Sequence, residues 1–196
     1  MDAKPPRQWA AARNAANGER ICHADDRCAN SRGCLEAGGK ELTDILITHE
    51  GFEPGNKVAQ SVSVVFLHRP AAVFVGGTRS ASPRYRIIPT VPEGQYNDAS
   101  RKALVKDVTD AVVRADGGKY EDVAPRVWVF PTEIPDGQWG SRGVIRPLPD
   151  IQAFIAGEHE RKVGEERLAR RRRVKALAML EAALDAARKG AGTDPR

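Results

Sequence analysis

The chain has 196 residues, 41% of them hydrophobic, and 31 Lys and Arg against 26 Asp and Glu for a net charge of +5. That length allows one packed core or two small repeats with tails. No apolar run approaches the roughly 18 residues of a membrane span, and Met1 to Glu19 is polar and Ala-rich without a signal-peptide core, so a cytoplasmic protein with no membrane contact is expected.

The charge is local. Between Glu158 and Arg196 there are 11 Lys/Arg and 7 Asp/Glu, which is +4 of the total +5. The body of the chain is nearly neutral, which argues against a nucleic-acid-binding core.

In chain order, residues 1–38 read as irregular or disordered, with only Arg20 to Ala24 resembling a short strand. Cys22, Cys28 and Cys34 lie in this stretch, each separated from the next by five residues. Zinc knuckles use closer pairs and need a second pair downstream, so free thiols and no metal are expected. Glu41 to Gly51 reads as a helix end, Ser61 to Pro70 as a strand, and Gly76-Gly77 as a turn. Tyr85 to Val91 is rich in β-branched and aromatic residues and reads as a strand, ended by the turn Pro92-Glu93-Gly94. Asn97 or Asp98 caps a helix whose apolar face is Leu104, Val105, Val108, Ala111, Val112 and Ala115. Gly117-Gly118 ends it. Arg126 to Phe130 then alternates, with Val127 and Val129 on one side and Arg126, Trp128 and Phe130 on the other. From Glu158 to Lys189 the Ala, Leu, Arg and Glu content predicts a helix, with Leu168, Val174, Leu177, Leu180 and Leu184 as a loose stripe and Arg170 to Arg173 as a basic run.

The middle of the chain repeats. Glu41-Leu-Thr-Asp-Ile-Leu-Ile-Thr-His-Glu-Gly51 aligns without a gap on Asp107-Val-Thr-Asp-Ala-Val-Val-Arg-Ala-Asp-Gly117. Ser61 to Pro70 aligns on Arg126 to Pro135, and an aromatic follows each proline at four residues, Phe74 and Trp139. The expected fold is therefore α/β (α+β): two tandem β-α-β units forming a four-stranded sheet with two helices on one face, plus a C-terminal helix. One sheet face then lacks cover, and oligomerisation is expected to supply it.

These motifs resemble the tautomerase superfamily, and within it the cis-3-chloroacrylic acid dehalogenase-like group. The residues that carry the likeness are Leu42-Thr-Asp44, Val108-Thr-Asp110, Val64 to Gly77 and Val127 to Gly140. The resemblance covers about residues 40–150, and sets units of about 39–82 and 83–150 within a domain of 39–150, followed by a basic helical tail at 151–196. It implies a homotrimer with inward-facing sheets and cofactor-free proton transfer or hydration on small 2-oxo or enol carboxylates or β-substituted acrylates. Family chemistry uses an amino-terminal proline. Here Asp2 stands at that position, and Pro83, two residues before the Tyr85 strand, is an internal amide suited to a turn. Gln95 and Trp128 occupy positions where members carry arginines. Glu133 matches the group's water-activating carboxylate, His49 its helix histidine in a shifted register, and Trp139 the aromatic that walls the pocket. With Tyr85 and Arg126, the last standing in for a carboxylate-binding arginine, they make the expected site: Glu133 and His49 catalytic, Arg126, Trp139 and Tyr85 substrate-binding. Two rival readings are a non-catalytic oligomeric scaffold of the same fold and, more weakly, nucleic-acid binding through the arginine-rich tail.

Overall fold

The computed structural model of the chain describes residues 32–191, with side chains from residue 38 to 189. Cys22 and Cys28 lie outside the described residues, as does the possible strand near Arg20, and Cys34 lies where no side chain is described. The fold mixes helices with small sheets. The described chain divides into two units, one formed by residues up to Thr90 and Asp98–Thr132, the other by Val91–Asn97 and the residues from Glu133 onward.

The first unit opens with α1 (Arg32–His49), a short α2 (Lys57–Val62) and a hairpin of β1 (Phe74–Val75) and β2 (Thr78–Arg79). Strand β3 (Tyr85–Ile87) leads into the second repeat, followed by α3 (Asp98–Asp116), α4 (Tyr120–Val123), a 3-10 turn (Ala124–Arg126) and β5 (Val127–Val129). The expected β-α-β of the second repeat is present. β3 and β5 are parallel, with Tyr85 opposite Val127, Arg86 opposite Trp128 and Ile87 opposite Val129. Alternation along the strands sends Val127 and Val129 inward with Tyr85 and Ile87, where they pack with Val112, Val113 and Val123. Helix α3 buries Leu104, Val108, Ala111 and Val112, four of the six residues of the sequence stripe. The other face of the pair is open. Trp128 is 58% exposed, and Ile88 and Phe130 are about half exposed, with the Trp128 and Phe130 rings edge-to-face at 6.4 Å.

Helices α1 and α3 pack together. His49, late in α1, meets Asp107 in the first half of α3, and Glu41 of α1 meets Arg114, late in α3, so the helices run antiparallel. The Thr-Asp signature of each helix has a local cause. Thr43 Oγ1 donates back to the Gly39 carbonyl at 2.8 Å and Thr109 Oγ1 to the Val105 carbonyl at 2.7 Å. Asp44 and Asp110 pair with Lys40 and Lys106, one turn earlier.

One expectation is corrected. Ser61 to Pro70 forms no strand. Asn56 Oδ1 accepts from the Val58 and Ala59 amides at 2.9 and 3.0 Å, which starts α2 and carries Ser61 and Val62 into helix. Beyond it Val64 to Leu67 pair with no described strand, and Phe66 is 78% exposed. The parallel partner that the repeat would give this segment falls within residues 1–31, which are not described. Among the described residues the strands pair two by two. The repeat nevertheless extends into the turns. β1–β2 has its counterpart in β7 (Gly140–Ser141) and β8 (Val144–Ile145), displaced by the same 66 residues that separate the helix motifs, Phe74 to Gly140. Both hairpins turn through two residues of positive φ, Gly76 and Gly77 at 56° and 80°, Arg142 and Gly143 at 52° and 78°. This is the turn whose twist matches paired strands.

Within the second unit, residues 91–92 of β4 (Thr90–Pro92) run beside residues 133–134 of β6 (Thr132–Ile134). The Tyr85–Val91 strand of the sequence reading is thus divided, at Pro89, into β3 and β4, and Pro131 divides β5 from β6 in the same way. In the first unit, the Phe130 amide donates to the Ile87 carbonyl at 2.9 Å and the Thr132 amide to the Pro89 carbonyl at 2.8 Å, beyond the last residues of β3 and β5. After β7–β8 come α5 (Leu148–Ala156), a 3-10 turn (Glu158–Glu160) and α6 (Arg161–Ala191). Helices α5 and α6 pack closely, and Leu148, Ile155 and Leu168 are buried. Each such side chain contributes roughly 1.5–3 kcal/mol when fully removed from water.

Candidate functional site

In the first unit the end of α3, the head of β3 and the turn before β5 converge on Asp116. The Tyr85 hydroxyl donates to Asp116 Oδ2 at 2.6 Å, and Arg126 Nη2 donates to both carboxylate oxygens at 3.1 Å. Arg126 Nη1 donates to the Pro83 carbonyl at 2.8 Å and Nε to the Asp122 carbonyl at 3.0 Å. The guanidinium also lies 5.9 Å from the Tyr85 ring centroid. The side chains of Arg126 and Asp116 are 15% and 13% exposed. Burial, and then the Asp116 carboxylate, push the Tyr85 phenol well above its ordinary range. All three nitrogens of Arg126 have protein acceptors, so the cluster ties two strands and two helices together.

His49 Nε2 lies 2.8 Å from Asp107 Oδ2, with the imidazole 12% exposed. It is part of the α1–α3 contact described above. Its Nε2 faces an acid of the neighbouring helix.

Glu133 belongs to the second unit. Its side chain is 8% exposed. The Gly94 and Tyr96 amides donate to Oε1 at 3.0 and 3.4 Å, and Arg171 Nη2 lies 2.8 Å from Oε2. Gly94 makes this possible. It has φ 92°, and a Cβ there would lie 3.0 Å from Leu168 Cα on α6, so only glycine lets the loop approach the helix. A second acid sits one residue before it. Glu93 Oε2 accepts the Asp136 amide at 3.0 Å, and Oε1 pairs with Lys175. These bonds, the Asp136 amide first and Lys175 next, hold the Glu93 carboxyl below the usual glutamate range. Arg172 pairs with Asp136 at 2.7 Å. Gln95, where the family places arginine, is buried, and its Oε1 accepts from Gln152 Nε2 of α5 at 3.1 Å. Trp139 is partly buried, and its carbonyl accepts the Arg146 amide at 2.8 Å at the base of the β7–β8 hairpin.

The structure thus joins Tyr85 with Arg126, places His49 on the helix pair, and holds Glu133 and Trp139 in the other unit. Sequence reading missed Asp116, Glu93, Asp136, Arg171 and Lys175. The basic run carried the signal for Arg171, and Lys175 lies four residues on and shares its helix face, opposite acids that cluster around the two Pro-x-Gly turns at Pro92 and Pro135. Among the described residues no group of three or more His, Cys, Asp or Glu is placed to hold a metal ion, and no helix is long and apolar enough to cross a membrane.

No family model matches the chain, and no curated protein matches it. Among solved structures it is similar to one described as "Crystal structure of N1, a member of cis-3-chloroacrylic acid dehalogenase (cis-CaaD) family", at 19% sequence identity and a TM-score of 0.48, over 70% of this chain and 90% of that one.

Proposed function

We propose that the chain is a cytoplasmic tautomerase-like protein acting on small 2-oxo or enol carboxylates, or β-substituted acrylates, by cofactor-free proton transfer or hydration centred on Glu133. The observation that supports this most is the state of that side chain. It is a nearly buried carboxylate, aimed by two backbone amides and charge-matched by Arg171. A carboxylate so fixed has its orientation set before a substrate arrives, and can take a proton from an enol, from carbon next to a carbonyl, or from attacking water. Absorbance-monitored turnover of phenylenolpyruvate, 2-hydroxymuconate and 3-chloroacrylate tests the reading. Turnover that Glu133→Gln abolishes and His49→Gln preserves is expected. Equal turnover by wild type and Glu133→Gln would overturn it.

A second reading is a non-catalytic oligomeric scaffold. The donors of Arg126 and the ring of His49 support it, because both are engaged in bonds that hold helices and strands together. Complete inactivity with all three substrate types would favour it. Both readings include a homotrimer, with a second and third copy covering the open face that carries Ile88, Trp128 and Phe130.

A further inference from the structure

Helix α6 has two parts. Its first turns pack on α5, and Arg171, Arg172 and Lys175 reach the acids of the same unit. Every residue from Arg172 to Lys189 is exposed. The free part carries an apolar row: Val174 is 52% exposed, Leu177 53%, Leu180 61% and Leu184 56%. At 3.6 residues per turn this row lies about half a turn around the helix from Leu168, Arg171 and Lys175. The docked side and the apolar side therefore face opposite ways, and a partner on the second leaves the first undisturbed. An isolated helical extension of this length is marginal in water without a packed face.

We infer that the occupant of this row is α6 of a second copy, running antiparallel and centred on Leu177. The row itself has this symmetry, since Val174 and Leu180 lie three residues on either side of Leu177. The charges have it too. Along α6 the blocks alternate in sign: Glu165 and Glu166, then Arg170 to Arg173, then Glu181 and Asp185, then Arg188 and Lys189. Reversed about Leu177, each block meets its opposite. Val174 faces the partner's Leu180, Arg173 the partner's Glu181, and Glu166 the partner's Arg188. A parallel pair in register would set Arg170 to Arg173 against the same run and repel. Glu181 and Asp185 also interrupt the basic surface that a nucleic acid would need.

The contact is isologous, so it closes on two copies alone, and combined with a ring of three it closes on six. It does not depend on that ring. Sedimentation and light scattering of the full chain test it. A dimer or hexamer is expected, and Leu177→Lys, an exposed position, halves the mass. Arg173→Glu halves it as well, while Arg173→Glu combined with Glu181→Arg restores it, a rescue that only the antiparallel register gives. A wild-type trimer would overturn the inference and leave the ring standing, whereas a dimer would do the reverse. A monomer overturns both. A mass unmoved by Leu177→Lys, or salt-dependent DNA retention by a wild type that stays odd-numbered, also overturns the inference.

Discussion

Arg126 shows what one side chain does when every nitrogen has an acceptor. It holds Asp116, the Pro83 carbonyl and the Asp122 carbonyl at once, with little of the guanidinium exposed. Removing it leaves a mostly buried carboxylate that still accepts from the Tyr85 hydroxyl but has lost its cation. Arg126→Ala is expected to cost about 3 kcal/mol, measured by denaturant unfolding, because hydrogen bonds to charged groups are worth roughly 1.5–3 kcal/mol each and their loss strands the acid. Arg126→Lys restores little of it, since an ammonium lacks the planar fork. A carboxylate-binding role alone would leave stability unchanged in both variants. Glu93 carries a pH signature. Its folded pKa lies below the ordinary value of about 4.3. The stability it contributes is therefore fully present above that value and is lost as pH falls through the lowered one. Glu93→Gln is expected to flatten the acid limb of a melting-temperature profile and to lower the plateau at neutral pH. An unchanged acid limb would show that Lys175 and the Asp136 amide do not set the charge state.

Among elements, the loop from Pro92 to Gln95 and the helix α6 depend on each other. Gly94 takes a backbone conformation that costs other residues about 1–2 kcal/mol, and its Cα side touches the α6 backbone, which is not free to move aside. Gly94→Ala is expected to lower stability by about 3 kcal/mol, the conformational and steric costs acting together. In the turnover assay it should reduce activity along with Glu133→Gln, because the Gly94 amide orients the Glu133 carboxylate. Loss of stability without loss of turnover would separate the loop from the proposed chemistry. The hairpins make a related point. The Gly76-Gly77 turn was visible in sequence, whereas the two-residue geometry with φ positive at both positions that it shares with Arg142-Gly143 needed coordinates.

At the scale of the molecule, the open sheet face, the Val64 to Leu67 segment and the free part of α6 all expose large apolar side chains among the described residues. Apolar surface of that kind commonly marks an interface. Trp128→Glu, at an exposed site outside the packed core of β3 and β5, is expected to preserve secondary structure and melting behaviour of the isolated chain while abolishing the proposed threefold association, read by sedimentation. A trimer that survives this change would remove the sheet face from the interface. The proposed sheet and α6 contacts use different residues, so Trp128→Glu and Leu177→Lys together are expected to yield monomers.

Much of this protein was legible without coordinates. The helix over Asp98–Asp116, its apolar face, the glycine that ends it, the inward Val127 and Val129 and the basic helix at the C-terminal end all follow from periodicity and capping, which are local. The helix-pair repeat was legible for the same reason. The fate of Val64 to Leu67 was not, because a strand exists only with a partner, and pairing is a non-local choice that the apolar pattern does not encode. Nor were the partners of the candidate site. Residue types named Glu133, His49 and Arg126, but a carboxylate, an imidazole and a guanidinium serve chemistry or structure according to what stands within about 3 Å. Asp116 lies ten residues from Arg126 and Arg171 thirty-eight from Glu133, and tertiary packing alone set those distances, turning Arg126 into a clamp and leaving Glu133 beside a guanidinium from the basic run of α6.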